Sequence, residues 1–119
     1  MQTELKNPLN HSKYTKVLHE SEYKYNAPHH FSVKSVDEPT KVLAQIDFQE
    51  GPINEVGVNG VTNEDLVAMV IARLEGFQKS EFACRENAIA ITRFEEGLMW
   101  LGKRTKVREV RGVEGAHTV

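Results

Sequence analysis

The sequence predicts an α+β protein: a small antiparallel sheet in the N-terminal half, followed by a long antiparallel two-helix hairpin. Three observations predict it. Residues 31–60 carry period-two alternation interrupted by turn residues, residues 62–111 carry apolar residues at helical spacing with no proline, and a Gly- and Pro-bearing break separates the two patterns.

Residues 1–28 are polar, with scattered Leu, Val and Tyr and no sustained period. They are expected to form an arm, either poorly ordered or docked on a neighbouring subunit. Residues 29–119 are expected to form a single domain. Its first strand is FSVKSV (31–36), with Phe31 and Val33 on one face, followed by the turn signal DEPT. In KVLAQIDFQ, Val42, Ala44, Ile46 and Phe48 alternate with Leu43, Gln45, Asp47 and Gln49, the pattern of a strand with one buried face. EGPINEVGVNG (50–60) reads as a turn, a short third strand around Ile53, Val56 and Val58, and a second turn.

Helical spacing begins at Thr62, an N-cap residue with Asp65 three positions on and Glu64 where the helix dipole favours an acid. Leu66, Val67, Val70, Ile71, Leu74 and Phe77 form a wide apolar stripe that ends near Gly76–Lys79. Ser80 is expected to cap a second helix from about Glu81 to Arg108 or a little beyond, stopping before Gly112. At a rise of about 1.5 Å per residue this helix is roughly 40 Å long, more than so small a domain needs for its own core. Part of it is therefore expected to meet another chain. Ala88, Ala90, Gly97 and Gly102 are small enough to admit a close helix.

The seam of the second helix runs Asn87, Ile91, Phe94, Leu98, Leu101, Thr105, Arg108: apolar in the middle, polar at both ends. Polar groups on a packed seam need partners. The two readings are that the seam leaves the core at its ends and faces water, or that a ligand meets it there. Phe77, Phe82, Arg85 and Asn87 cluster around the hairpin tip, and these residue types suit a nucleotide: a ring stacks on a base, Asn pairs with an adenine edge, Arg holds phosphate. At the other end Lys103, Arg104, Lys106, Arg108 and Arg111 form a basic run. It either complements the helix dipole as a solvated face or converges on an anion where copies meet, with Arg104 and Arg108, one turn apart, as the pair.

Composition excludes several classes. Fifteen Lys and Arg against seventeen Asp and Glu give a net charge of -2, which argues against coating DNA or RNA polymers. A single cysteine, Cys84, excludes a disulfide framework and suits a reducing compartment, so the cytoplasm is the expected location. There is no apolar run of membrane-spanning length. His11, His19, His29, His30 and His117 fall in the arm region or at the extreme C-terminus, so no metal, no cofactor and no catalytic residue are expected. Cys84 has no assignable base, and the glycine-bearing loops lack the Lys and Ser/Thr of a phosphate loop.

Three blocks, FQEGPINEVGVNGVTNEDL, RLEGFQKSEFACRENAIAITRFEEGLMWLGKRT and REVRGVEG, resemble the Thoeris anti-defence sponges of bacteriophages, the first-described type. That family shares its helical hairpin with the phage anti-CBASS sponge. The resemblance spans about Phe31 to Gly115. It implies a non-enzymatic, hexameric protein that sequesters cyclic nucleotide immune signals: glyco-cyclic ADP-ribose isomers, and in many members cyclic oligonucleotides at separate sites. Carried over to this chain, it implies that Phe77 stacks on adenine, Asn87 hydrogen-bonds the ligand, and Arg104 and Arg108 contact phosphate. It also implies a second site that includes Thr105. Arg73 and Arg85 join the candidates on their chemistry alone. The alternative from another class is a helical-hairpin protein-interaction module with no nucleotide ligand.

Overall fold

A computed structural model describes residues 1–119, which fall into two compact units, Met1–Val61 and Thr62–Val119. The first unit is a four-stranded antiparallel meander, β1 (Gln2–Glu4), β2 (Thr15–Glu20), β3 (His30–Ser35) and β4 (Val42–Asp47), in sequential order. Thus β1 and β2 lie in the stretch whose sequence suggests an arm. Their pattern is hard to read because β1 has three residues and all are exposed, while β2 is half-buried on both faces. What fixes them is pairing: Val17 lies opposite Val33 and His19 opposite Phe31, and Val33 and Phe31 in turn face Ala44 and Ile46. Cross-strand rows of this kind hold a sheet without a strong sequence period. The aromatic rings continue the row, with His19 5.6 Å from Phe31 and Phe31 edge-on to Phe48 at 5.5 Å.

In β4 the expected alternation is interrupted. A register shift between Val33 and Lys34 sets Lys34 opposite Val42 and Val33 opposite Ala44, so Leu43 is the extra residue of a bulge. Val42 therefore leaves the Ala44–Ile46 face, and as an edge strand β4 remains largely exposed within the chain.

The expected third strand around 53–58 is absent. Ile53–Val56 is instead one helical turn, α1, opened by Pro52. Gly51 (φ 93°) and Gly57 (φ 76°) bracket it in conformations that an extended strand does not use. Side chains hold this loop. Gln49 Nε2 donates to the carbonyls of Gly51 and Gly57, and its Oε1 accepts from Asn59 N–H. Asn59 exchanges two hydrogen bonds with the Glu50 backbone at 2.8 and 2.7 Å. Val61 then returns beside Phe48 in a parallel bridge. A Cβ on Gly60 would stand 2.4 Å from the Phe48 carbonyl carbon, so only glycine fits that approach.

The second unit is the helical hairpin, α2 (Asn63–Gln78) and α3 (Arg85–Arg111). The Thr62 capping box forms as expected: Thr62 Oγ1 accepts from Asp65 N–H at 3.1 Å and Asp65 Oδ2 accepts from Thr62 N–H at 2.9 Å. The second helix starts four residues later than Ser80 suggested and is capped at Cys84, because Ser80 is used in the turn. It ends at Gly112 (φ 73°), with Gly112 N–H bonded to Glu109 and Val113 N–H to Arg108, a Schellman closure.

Since α3 outruns α2 by roughly three turns, its last part has no helical partner within the hairpin. Met99, Trp100 and Val110 are 74%, 64% and 84% exposed, and Ile71 is the one buried apolar side chain. A single copy therefore leaves many helical apolar side chains exposed to water.

Candidate functional site

The tip of the hairpin is built by side chains that tie its turn. Gln78, the last residue of α2, grips Cys84 twice: its Nε2 donates to Cys84 O and its Oε1 accepts from Cys84 N–H, both at 2.9 Å. Ser80 Oγ donates to Phe77 O at 2.6 Å and accepts from Phe82 N–H at 3.1 Å. The turn is thereby closed, with Phe77 of α2 and Phe82 of the turn both exposed.

An open groove of about 380 Å³ results, lined by Arg73, Gly76, Phe77, Ser80 and Phe82. Gly76 leaves it unobstructed, since a Cβ there would meet nothing within 4 Å. Phe77 is 38% and Phe82 68% exposed. The Arg73 guanidinium lies 5.2 Å from the Phe77 ring centroid, a cation–π pairing one helical turn apart. The groove thus offers a flat apolar face and a cation together, the combination a base-plus-phosphate ligand uses. Arg85 is exposed and Asn87 half-exposed in the first turn of α3. Cys84 supplies no side-chain cap there, so α3 presents backbone N–H groups at its start. Ser80 and Gly76 were not legible as lining residues in the sequence, and Gln78 was missed altogether. The signal for Gln78 is its place as the last helical residue before a short turn.

The far end of α3 is different. Arg104 is exposed and Thr105 half-exposed. Arg108 is buried, and the chain's own C-terminus occupies its donors. Its Nη1 donates to Thr118 O at 2.7 Å, its Nη2 to Val113 O at 2.9 Å and Ala116 O at 3.0 Å, and its Nε lies 3.5 Å from the Glu114 carboxylate. The RGVEG segment is therefore the return of the chain over its own helix end, with Arg108 as its anchor. Along α3, Asn87 and Arg104 are roughly 25 Å apart at about 1.5 Å per residue. One copy does not bring its own tip and its own basic end to one small ligand.

A second polar constellation lies in the sheet unit. His30 Nδ1 is 2.8 Å from Asp47 Oδ1 and its Nε2 3.1 Å from Glu50 Oε1. The hydrogen bonds to Asp47 and Glu50 raise the imidazole above its ordinary range, and the same bond from His30, with one from Gln45, holds Asp47 below the usual carboxylate range. Burial pushes the Glu20 carboxyl up, but the N–H donors of His29 and His30 outweigh it and the net direction is down. The sequence offered no hint of this cluster, because His30 lies ten to twenty residues from each of its partners and meets them only through strand register.

Residues 40–106 match the family described as Acb2/Tad1, hairpin domain. The chain belongs to the Acb2/Tad1 hairpin family. The resemblance drawn from the sequence is thus upheld. A protein named Thoeris anti-defense 1, from Bacillus phage SBSphiJ7, is 51% identical over 96% of this chain and 97% of its own length. The Acb2/Tad1 match takes in β4, the Gln49–Asn59 loop, α2 and most of α3, and so includes Phe77, Asn87, Arg104 and Thr105. Arg108 and the tail it anchors lie beyond it. No helix is long and apolar enough to cross a membrane.

Proposed function

We propose that this chain is a phage anti-defence sponge: it binds and sequesters cyclic nucleotide immune signals without hydrolysing them. The observation that carries the reading is the hairpin-tip groove, in which the Arg73 guanidinium and the Phe77 ring stand together in a chain that is 51% identical to a named Thoeris anti-defence protein. The ligand class is a glyco-cyclic ADP-ribose isomer, a cyclic oligonucleotide, or both at separate sites. Phe77 stacks on adenine, Asn87 reads its polar edge, and Arg73 and Arg85 meet phosphate at the start of α3.

In this reading the site is intermolecular, which the roughly 25 Å between tip and basic end supports. In a homo-oligomer, a hexamer in this reading, antiparallel pairing of hairpins carries Arg104 of one copy to the tip of another. The exposed Met99, Trp100, Val107 and Val110 support such pairing, since burying them removes apolar surface that a single copy leaves in water. Thr105, beside Arg104, belongs to a second site for cyclic oligonucleotides. Arg108 acts indirectly, by holding the helix end that presents Arg104. The host-cell cytoplasm is where such a protein meets its signal.

A sponge needs affinity and abundance and no chemistry, because each bound signal is lost to its receptor by mass action. The test follows from that. The protein is saturated with glyco-cyclic ADP-ribose, heated to unfold it, and the released small molecule is analysed by mass spectrometry. Quantitative recovery of unchanged ligand is expected, and a hydrolysed product that accumulates with incubation time would contradict the reading.

A further inference from the structure

We propose that Glu20, His30 and Glu50 form a binding site for one divalent transition-metal cation of the zinc class, with Asp47 as the positioning residue for the histidine. The three residues come from the end of β2, the start of β3 and the loop after β4. One donor atom from each lies within 4.8 Å of the other two. Tetrahedral zinc with ligand bonds of about 2.0–2.2 Å holds its donor atoms roughly 3.3–3.6 Å apart. His30 Nε2 and Glu50 Oε1 are 3.1 Å apart, so admitting the ion requires a small opening and no refolding.

The support around these donors is independent of their mutual closeness. Metal-bound imidazoles commonly give their second nitrogen to a carboxylate, which fixes ring orientation and tautomer. Asp47 stands in that role at 2.8 Å from His30 Nδ1, leaving Nε2 directed at Glu50. Glu20 is oriented by the backbone N–H groups of His29 and His30, at 3.1–3.3 Å, each shared between both carboxylate oxygens, so two donors serve a group with about four acceptor sites. Glu50 is steadied through its backbone by Asn59. Three carboxylates thus gather on one imidazole, whose protonation offsets a single negative charge; a dication offsets two. The nitrogen ligand selects the class, because Mg²⁺ and Ca²⁺ favour all-oxygen shells whereas zinc accepts imidazole with carboxylates. Three protein ligands leave the fourth position to water. Such an ion would clip three consecutive segments of the sheet together, far in sequence from the hairpin residues that the proposed function uses.

The experiment uses the full chain, stripped with chelator, dialysed and titrated with zinc chloride at pH 7.5. Calorimetry gives stoichiometry and affinity, and long-range ¹H–¹⁵N spectra follow the imidazole nitrogens. One zinc per chain with a dissociation constant of about 1 μM or tighter is expected, with the His30 Nε2 resonance shifted on binding. His30→Gln should abolish binding. Glu20→Gln and Glu50→Gln should weaken it at least about tenfold, and Asp47→Asn by about 10- to 100-fold at unchanged stoichiometry. Magnesium at millimolar concentration should leave the spectra unchanged. Zinc binding undiminished in His30→Gln, or no binding tighter than about 100 μM, overturns the proposal. If His30→Gln does not fold, the wild-type spectra decide: a His30 ring that zinc leaves unmoved overturns it equally. Retention of nucleotide binding by a protein that takes no zinc would sink the metal site alone, and the converse would sink the sponge reading alone.

Discussion

Phe77→Ala is expected to weaken binding of glyco-cyclic ADP-ribose by about 10- to 100-fold, the loss that follows from removing a base-stacking ring worth about 1–3 kcal/mol. The melting temperature should shift little. Phe77 is already 38% exposed and lines an open groove at the tip of the hairpin, so its truncation opens no enclosed cavity. Arg73 keeps its place on α2 but loses the ring beneath it. Asn87→Ala, at a half-exposed position in the first turn of α3, is expected to cost a similar factor by deleting the polar contact to the base edge, again with folding preserved. Calorimetric titration of each variant beside its thermal melt reads both quantities. Two folded variants with wild-type affinity would mean that the groove at the tip is not the ligand site.

The second large effect separates two arginines one helical turn apart. Arg108→Ala is expected to lower stability by roughly 2–4 kcal/mol, because it removes three donors from backbone carbonyls of the tail and leaves the Glu114 carboxylate without the cation beside it. Urea denaturation should show a lower midpoint, and proteolysis should remove the residues after Gly112. Arg104→Ala should do neither: its side chain is exposed, and its loss should appear as weaker ligand binding at unchanged stability. A stable Arg108→Ala protein with an intact tail would contradict the anchoring role.

The hairpin was legible because its signals are local. Thr62 and Asp65 cap α2 through bonds three residues apart, the apolar stripe repeats at helical spacing, and Gly112 closes α3 in the left-handed region, where glycine pays no Cβ penalty. The late start of α3 was hidden, since Ser80 suits a helix cap and a turn equally and only the Gln78–Cys84 clasp decides between them. The sheet was legible in part. β3 and β4 show alternation, but β1 and β2 are held by backbone pairing to β3, a non-local property that composition does not carry.

The same division runs through the candidate sites. Phe77 and Asn87 stood out as chemically apt residues near a turn, yet their use as a nucleotide site rested on family resemblance and not on spacing. Arg108 looked like Arg104 in sequence, and what distinguishes it is a tail that folds back from residues 113–118. The Glu20–His30–Glu50 cluster left no sequence trace at all, because strand register assembles it.

Isothermal titration of the 119-residue chain with glyco-cyclic ADP-ribose isomers, and in parallel with cyclic di- and trinucleotides, tests sequestration most directly. At least one of these ligands should bind with a dissociation constant below about 1 μM, and failure to bind any of them would contradict the sponge function.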